Sequence, residues 1–372
     1  MSHHQLQKAS IIKHQENRFF VLLGYVFFGL LFFLFFSYIF GKVTASSLLL
    51  KDFIKNEYRA TDLSWTPYPY IMFKGKKNEG INNEGGYKGP YPVTPKPIDE
   101  YRIFVLGGST VYFGDPTIPE LLTQEFQNNG YTNVRVYNFS YTSAVSSQEL
   151  MTIVTEISEL EPDLIVQYDG ANDIDHPLYY DPRPGYPFNY FVYETNPLIN
   201  PEKLPTWKYI VGTNAIVKFI YQTYFPHAYQ NFLLPKENLR SEVGYNTDPW
   251  KQQVANIYIQ NVMKAQKIAS VFDSEYIAFF QPTIFNKRML TRDELKIIPQ
   301  EEIDYFIEVQ DLIKNGMSSD TTQNIQFVDL TDIFDSYETT VFEDKIHVYQ
   351  EYNTVIANRM FEVIVHAFVL HE

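Results

Sequence analysis

Cysteine is absent from all 372 residues. That excludes thiol catalysis, disulfides and thiolate-held zinc, and it is compatible with an oxidising compartment. Positive charge is also scarce. Three of the 30 Lys and Arg and one of the 44 Asp and Glu fall in the first eighteen residues, which leaves 27 basic against 43 acidic residues in the rest. Such a balance argues against nucleic acid or an anionic membrane surface as a partner. Eight histidines are present, but no H-E-x-x-H or other metal-binding spacing is found, so no metal and no cofactor are expected. Neither a Walker loop ending in Gly-Lys-Ser/Thr nor the dinucleotide pattern G-x-G-x-x-G occurs.

With 45% hydrophobic and 20% charged residues the chain has enough apolar mass to bury a large core, in one α/β domain with insertions or in two domains. The most apolar stretch is N-terminal. From Phe19 to Phe40 the run FFVLLGYVFFGLLFFLFFSYIF holds no charge. As a helix of about 22 residues it reaches roughly 33 Å, the thickness of a bilayer core. Every face is apolar and charges bracket both ends, unlike a helix buried in a soluble domain. A signal peptide cleaved after Val43-Thr44-Ala45 is the rival reading. The run is longer than a usual signal core, which favours an uncleaved anchor. Lys8, Lys13 and Arg18 lie before the span and Lys42, Lys51, Lys55 and Arg59 after it, so charge leaves the topology open. Because a lone N-terminal span usually serves export, the remainder is expected outside the cytoplasm, in the periplasm or at the cell surface.

Residues 62–100 are rich in Pro, Gly, Tyr and Asn (TPYPY, NEGINNEGG, GPYPVTPKP) and predict irregular, turn-containing chain. Beyond them, short apolar runs alternate with helical patterns, the signature of βαβ order and a mostly parallel sheet. Strands are expected at Arg102–Leu106, Val134–Asn138, Leu164–Tyr168, Tyr276–Gln281 and Ile325–Leu330. Helices are expected at Ile118–Asn128, Gln148–Leu160 and Tyr352–Phe368. The domain organisation that follows is a tail at 1–18, an anchor at 19–40, a linker and extension at 41–100, and a domain at 101–372. An insertion dense in Tyr, Phe and Pro occupies about 177–250; it serves either as a satellite core or as an aromatic cap over substrate.

Three loops carry chemistry. The first strand ends in Gly107-Gly108-Ser109-Thr110, at the carboxyl edge where α/β sheets gather functional groups. Its glycines permit a sharp turn that would lift Ser109 above the sheet, although an ordinary turn or a phosphate-cradling loop would use the same residues. The third strand runs into Gly170-Ala171-Asn172-Asp173. There the Asn172 amide is suited to an oxyanion, with an Asx turn as the plainer alternative. Near the C-terminus comes Asp344-Lys345-Ile346-His347. A serine hydroxyl needs a base to take its proton, and the base needs an acid to fix its tautomer. Asp-x-x-His alone arises by chance. All three loops in this order argue together for a nucleophilic serine.

At these residues the sequence resembles the SGNH (GDSL-like) hydrolase superfamily. Gly107-Gly108-Ser109-Thr110 matches its first block in a Gly-Gly-Ser variant, Gly170-Ala171-Asn172-Asp173 the third, and Asp344-Lys345-Ile346-His347 the last. The resemblance covers about residues 75–368. Framing segments INNEGGYKGP, SSQEL and QPTIFNKRMLT look like a bacterial membrane-anchored subgroup. It implies a flavodoxin-like three-layer sandwich with a parallel five-stranded sheet, here behind one transmembrane helix. It further implies Ser109 as nucleophile, His347 as base and Asp344 as its acid, with Ser109 and Asn172 in the oxyanion hole. The second block departs from the pattern: where the family has glycine, Asn138-Phe139-Ser140-Tyr141-Thr142-Ser143 places Ser143. Serine keeps the backbone N–H but tolerates a positive φ less well. Ser140 is the alternative occupant under another register. His176 could line the cleft, but a surface or structural role is the expectation.

These features lead to a serine ester hydrolase whose partner is an acylated substrate, with O-acetyl groups on an envelope polysaccharide as the preferred setting. An O-acyltransferase with the same three residues, or a non-catalytic carbohydrate-binding protein of envelope assembly, are the alternatives.

Overall fold

The computed structural model describes residues 3–46, 65–188, 190–194, 214–225, 236–319, 322 and 325–368. The chain divides into two compact units, one of residues 1–59 and 192–235, the other of residues 60–191 and 236–372.

In the first unit, helix α1 (His3–Ser46) contains the uncharged stretch Phe20–Phe40, whose mean hydropathy is 2.5. Its Phe and Leu side chains stand exposed through almost the whole stretch, and the helix is long and apolar enough to cross a membrane. The Phe40 ring meets Phe219 edge to face at 5.7 Å, Phe219 lying on the helix Ala215–Tyr224 of the same unit. Of the aromatic-rich stretch, the described residues 192–194 and 214–225 belong to this unit.

The second unit begins with a departure from expectation. Trp65–Tyr68 (β1) and Met72–Gly75 (β2) form an antiparallel hairpin in a segment whose Pro and Tyr content predicts irregular chain. Burial explains it: Ile71, Phe73 and Lys74 are covered, and the Lys74 ammonium is paired at 2.8 Å with Glu156. Tertiary packing here overrides local composition.

A five-stranded parallel sheet follows: β3 (Tyr101–Gly107), β4 (Val134–Asn138), β5 (Leu164–Asp169), β6 (Glu275–Phe280) and β7 (Phe327–Asp329). Its spatial order is β4-β3-β5-β6-β7. Counted within the sheet this is 2-1-3-4-5, the flavodoxin-like doubly wound order. Helices cover both faces. Ile118–Asn128 and Asn353–Ala367 pack together on one, while Ser146–Thr155, Asp248–Val271 and Ile303–Met317 pack on the other. The fold class is the one expected. Strand boundaries agree with expectation within two residues, and Ile118–Asn128 matches at both ends because Thr117 and Glu120 cap it reciprocally. Covered on both faces, β5 buries all six of its residues, so it reads in sequence as a continuous apolar run.

The register fixes where the loops go. Val105 pairs Asn138, Gly107 pairs Tyr168 and Asp169 pairs Phe280. The loops after β3, β4 and β5 thus leave the sheet side by side at its carboxyl edge.

Candidate active site

Ser109 opens a single helical turn, Ser109–Tyr112, straight after β3. Its neighbour Gly108 shows why no side chain precedes it: a Cβ there would stand 2.3 Å from the Asn172 amide nitrogen. The absent side chain lets Asn172, from the first turn of the helix after β5, reach the backbone beside Ser109 at Gly108. Gly170 has φ +106°, and a Cβ on it would strike the Phe280 ring at 2.2 Å. The chain can therefore turn into the helix Ala171–Tyr179 only with glycine at this point.

His347 comes from a tight hairpin bridged between Phe342 and Val348, in which the Glu343 N–H donates to the His347 carbonyl at 2.8 Å. Its Nε2 lies 2.7 Å from Ser109 Oγ, and its Nδ1 lies 2.8 Å from Asp344 Oδ2. The other carboxylate oxygen of Asp344 accepts from the backbone N–H of Ile346 at 2.8 Å and of His347 at 2.7 Å. Burial pushes this carboxyl up, but bonds from the His347 ring and the two backbone N–H groups outweigh it and hold it at about 2. Asp344 therefore remains an anion across the neutral range and fixes the His347 tautomer with Nε2 free to accept from Ser109. The hairpin is secured at its base by Glu294, which pairs with Lys287 at 2.6 Å and accepts from the backbone N–H of Val341 and Phe342. Burial pushes Glu294 up as well. The Lys287 bond and backbone donors reverse the shift and keep its carboxyl below the usual value.

The loop after β4 supplies the third wall. Asn138 Oδ1 accepts from the Ser140 N–H at 3.0 Å, so that donor is already committed inside a fully buried turn. Ser143 sits further along, half-buried, with φ +60°. The Asn172 amide donates to the carbonyl of the next residue, Ala144, at 2.7 Å. Gly108, Ala144 and Asn172 thus meet, which brings the chain at Ser109 and at Ser143 beside the Asn172 amide, whereas the Ser140 N–H is spent on Asn138.

Two supporting features carry no spacing signal in the sequence. Asp173 accepts from the Ser146 N–H at 3.0 Å and the Ser146 hydroxyl at 2.5 Å, tying the loop after β5 to the helix Ser146–Thr155. Burial together with the charge of Asp169 raises Asp173 to about 7. Glu149, fully buried beside Asp169, is pushed well above the carboxylate range by burial first and by that neighbour second. The second feature is Lys345, whose ammonium pairs with Asp175 and Glu302. His176 is buried against Tyr180 and Phe188, and burial with the nearby Lys345 charge pushes its ring down to about 3. It is a neutral core residue, as expected.

No family model matches the sequence, and no curated protein matches it. Solved structures do. An acetyl xylan esterase aligns over 71% of this chain and 99% of its own at 11% identity and TM-score 0.39. A GDSL-like lipase from Bacteroides thetaiotaomicron covers 74% and 93% at 13% identity and TM-score 0.41. The lipase/acylhydrolase from Enterococcus faecalis covers 73% and 99% at 12% identity and TM-score 0.39. Likeness this distant adds nothing to the strand order and the distances, which stand by themselves.

Proposed function

We propose that this chain is a serine ester hydrolase of the SGNH kind, acting through an acyl-enzyme. The observation that supports the reading most is the hydrogen-bonded chain Ser109–His347–Asp344, at 2.7 and 2.8 Å, assembled from residues 238 apart in sequence. Ser109 Oγ attacks the ester carbonyl carbon while His347 Nε2 takes its proton. The carbonyl oxygen becomes an oxyanion facing the backbone N–H groups of Ser109 and Ser143 and the Asn172 amide. Such donors matter most as charge develops. Collapse expels the alcohol, which leaves with the proton from His347, and the acyl group stays on Ser109. Water then repeats the sequence, giving one proton to His347; collapse breaks the acyl bond to Ser109, whose Oγ takes that proton back from His347 as the acid departs. Asp344 stays ionised throughout and stabilises the imidazolium.

The uncharged helix Phe20–Phe40 supports a single-pass anchor, with the hydrolytic unit outside the cytoplasm. An O-acetylated envelope polysaccharide is the substrate that suits such a placement. The full-length protein in detergent is the material for the test. A fluorophosphonate should label it once, at Ser109, and p-nitrophenyl acetate should be turned over; Ser109→Ala should fold and do neither. Acetate release from an acetylated polysaccharide tests the substrate, and a free sugar hydroxyl in the same assay separates transfer from hydrolysis. A folded, active Ser109→Ala protein overturns the nucleophile.

A further inference from the structure

Lys345, between Asp344 and His347, makes contacts the hydrolytic mechanism leaves unused. In the tight turn between Phe342 and Val348, the Asp344 carboxylate bonds the His347 ring, while the Lys345 side chain takes partners on other elements. Its ammonium pairs with Asp175 and, at 3.2 Å, with Glu302. It also lies 3.9 Å over the Tyr179 ring. Asp175 and Tyr179 belong to the helix Ala171–Tyr179, whose first turn carries Asn172. The same helix is held from outside by the Tyr305 hydroxyl, which donates to the Ile174 carbonyl at 2.8 Å. One cation therefore spans the hairpin that carries His347 and the helix that carries Asn172.

The side chains of Asp175 and Glu302 are each only 8% exposed. Burial raises both carboxyls and the Lys345 charge draws both back down. The charged and titratable groups around Lys345 are Asp175, Glu302, Asp344 and His347, with the neutral ring of His176 behind them. Removing one partner from such a buried set leaves charge uncompensated, while removing all partners together does not. This asymmetry separates a charge-neutralising role from a geometric one.

We propose that Lys345 is a positioning residue that fixes the distance between His347 and the Asn172 amide by clamping the hairpin to the helix Ala171–Tyr179. The proposal rests on the hydrolase reading and adds to it a coupling between proton transfer and oxyanion stabilisation. A misplacement of about 1 Å in such a constellation costs up to about a hundredfold in rate.

The test uses full-length protein in detergent and three variants: Lys345→Arg, Lys345→Met, and the triple change Lys345→Met with Asp175→Asn and Glu302→Gln. The triple change leaves no unpaired charge, so it should fold, yet it has no clamp. Its kcat on p-nitrophenyl acetate should fall about 10- to 100-fold with KM within about threefold of wild type. Lys345→Arg should recover part of the loss, and Lys345→Met should lose both stability and rate. Asn172→Ala should cost about a hundredfold in wild type but under about tenfold in the triple variant, because an amide already out of place has little left to lose. Wild-type kcat in the triple variant, or a full additional hundredfold from Asn172→Ala, overturns the clamp. Hydrogen exchange reads the same coupling without turnover: amides of residues 343–347 and 171–175 should lose protection together in Lys345→Met and in the triple variant. Loss in only one segment, or in neither, also overturns it. A wild type inert on every ester would instead count against the hydrolase reading.

Discussion

Replacing Ser143 by glycine isolates the one place where the second block departs from its expected pattern. Ser143 has φ +60°, in the left-handed region that costs an L-residue with a Cβ about 1–2 kcal/mol. Glycine relieves that strain but makes the unfolded chain more flexible, which costs about 0.4–1 kcal/mol. The difference favours Ser143→Gly by about 0–1.6 kcal/mol, equivalent to a rise in Tm of about 6 °C at most. The backbone N–H, the only group assigned to the oxyanion hole at this position, is unchanged. Hence kcat on p-nitrophenyl acetate should stay within about threefold of wild type, because a retained donor continues to stabilise the developing charge. Thermal unfolding and steady-state kinetics on the same detergent-solubilised preparation measure both quantities. A fall in Tm of several degrees would show that the serine side chain makes a stabilising contact the strain argument ignores. A loss of about a hundredfold in kcat would show that its hydroxyl, not its amide, serves the reaction, and the assignment of this loop would be wrong.

Asn172→Ala should lower kcat by about a hundredfold while KM changes little, since the amide counts most once negative charge develops; a large change in KM with kcat intact would refute this. Stability should fall as pH rises from about 5 to 8. The buried carboxyls of Glu149, Asp169 and Asp173 have raised folded-state values, about 7 for Asp173, against about 4 unfolded. Between those limits the folded state holds more protons than the unfolded, so each step upward in pH favours unfolding. Glu149→Gln should flatten that slope and raise Tm at pH 8; an unchanged slope would discard Glu149 as its source. Asp344, held at about 2, contributes stability that is complete above about pH 4 and lost only as pH falls through 2. A reporter fused after Glu372 should behave as extracytoplasmic in cells, and activity of a cytoplasm-specific reporter would reverse the proposed orientation.

Much of this protein is written locally. Runs such as RIFVL and DLIVQY are short, apolar and bounded by Gly or Asp, and a chain segment of that kind becomes a buried parallel strand wherever it sits. Because the strands alternate with amphipathic helices, the doubly wound layers follow. Because Gly107-Gly108-Ser109 and Gly170-Ala171-Asn172 each come directly after a strand, both had to lie at the carboxyl edge. The uncharged helix from Phe20 to Phe40 is equally a matter of composition. Other features depended on contacts between distant segments. Nothing in the residues 65–75 announces a hairpin; Lys74 and its neighbours form one because Glu156 and the core receive them. That the Ser140 N–H is spent on the Asn138 side chain is visible only in the folded loop. Lys345 reads as any loop lysine until Asp175, 170 positions earlier, and Glu302 close around it. Local patterns set each element because hydrophobic period and backbone preference act over a few residues. The pairings that make a site are set by chain closure over hundreds of residues, and only the packed sheet brings those ends together.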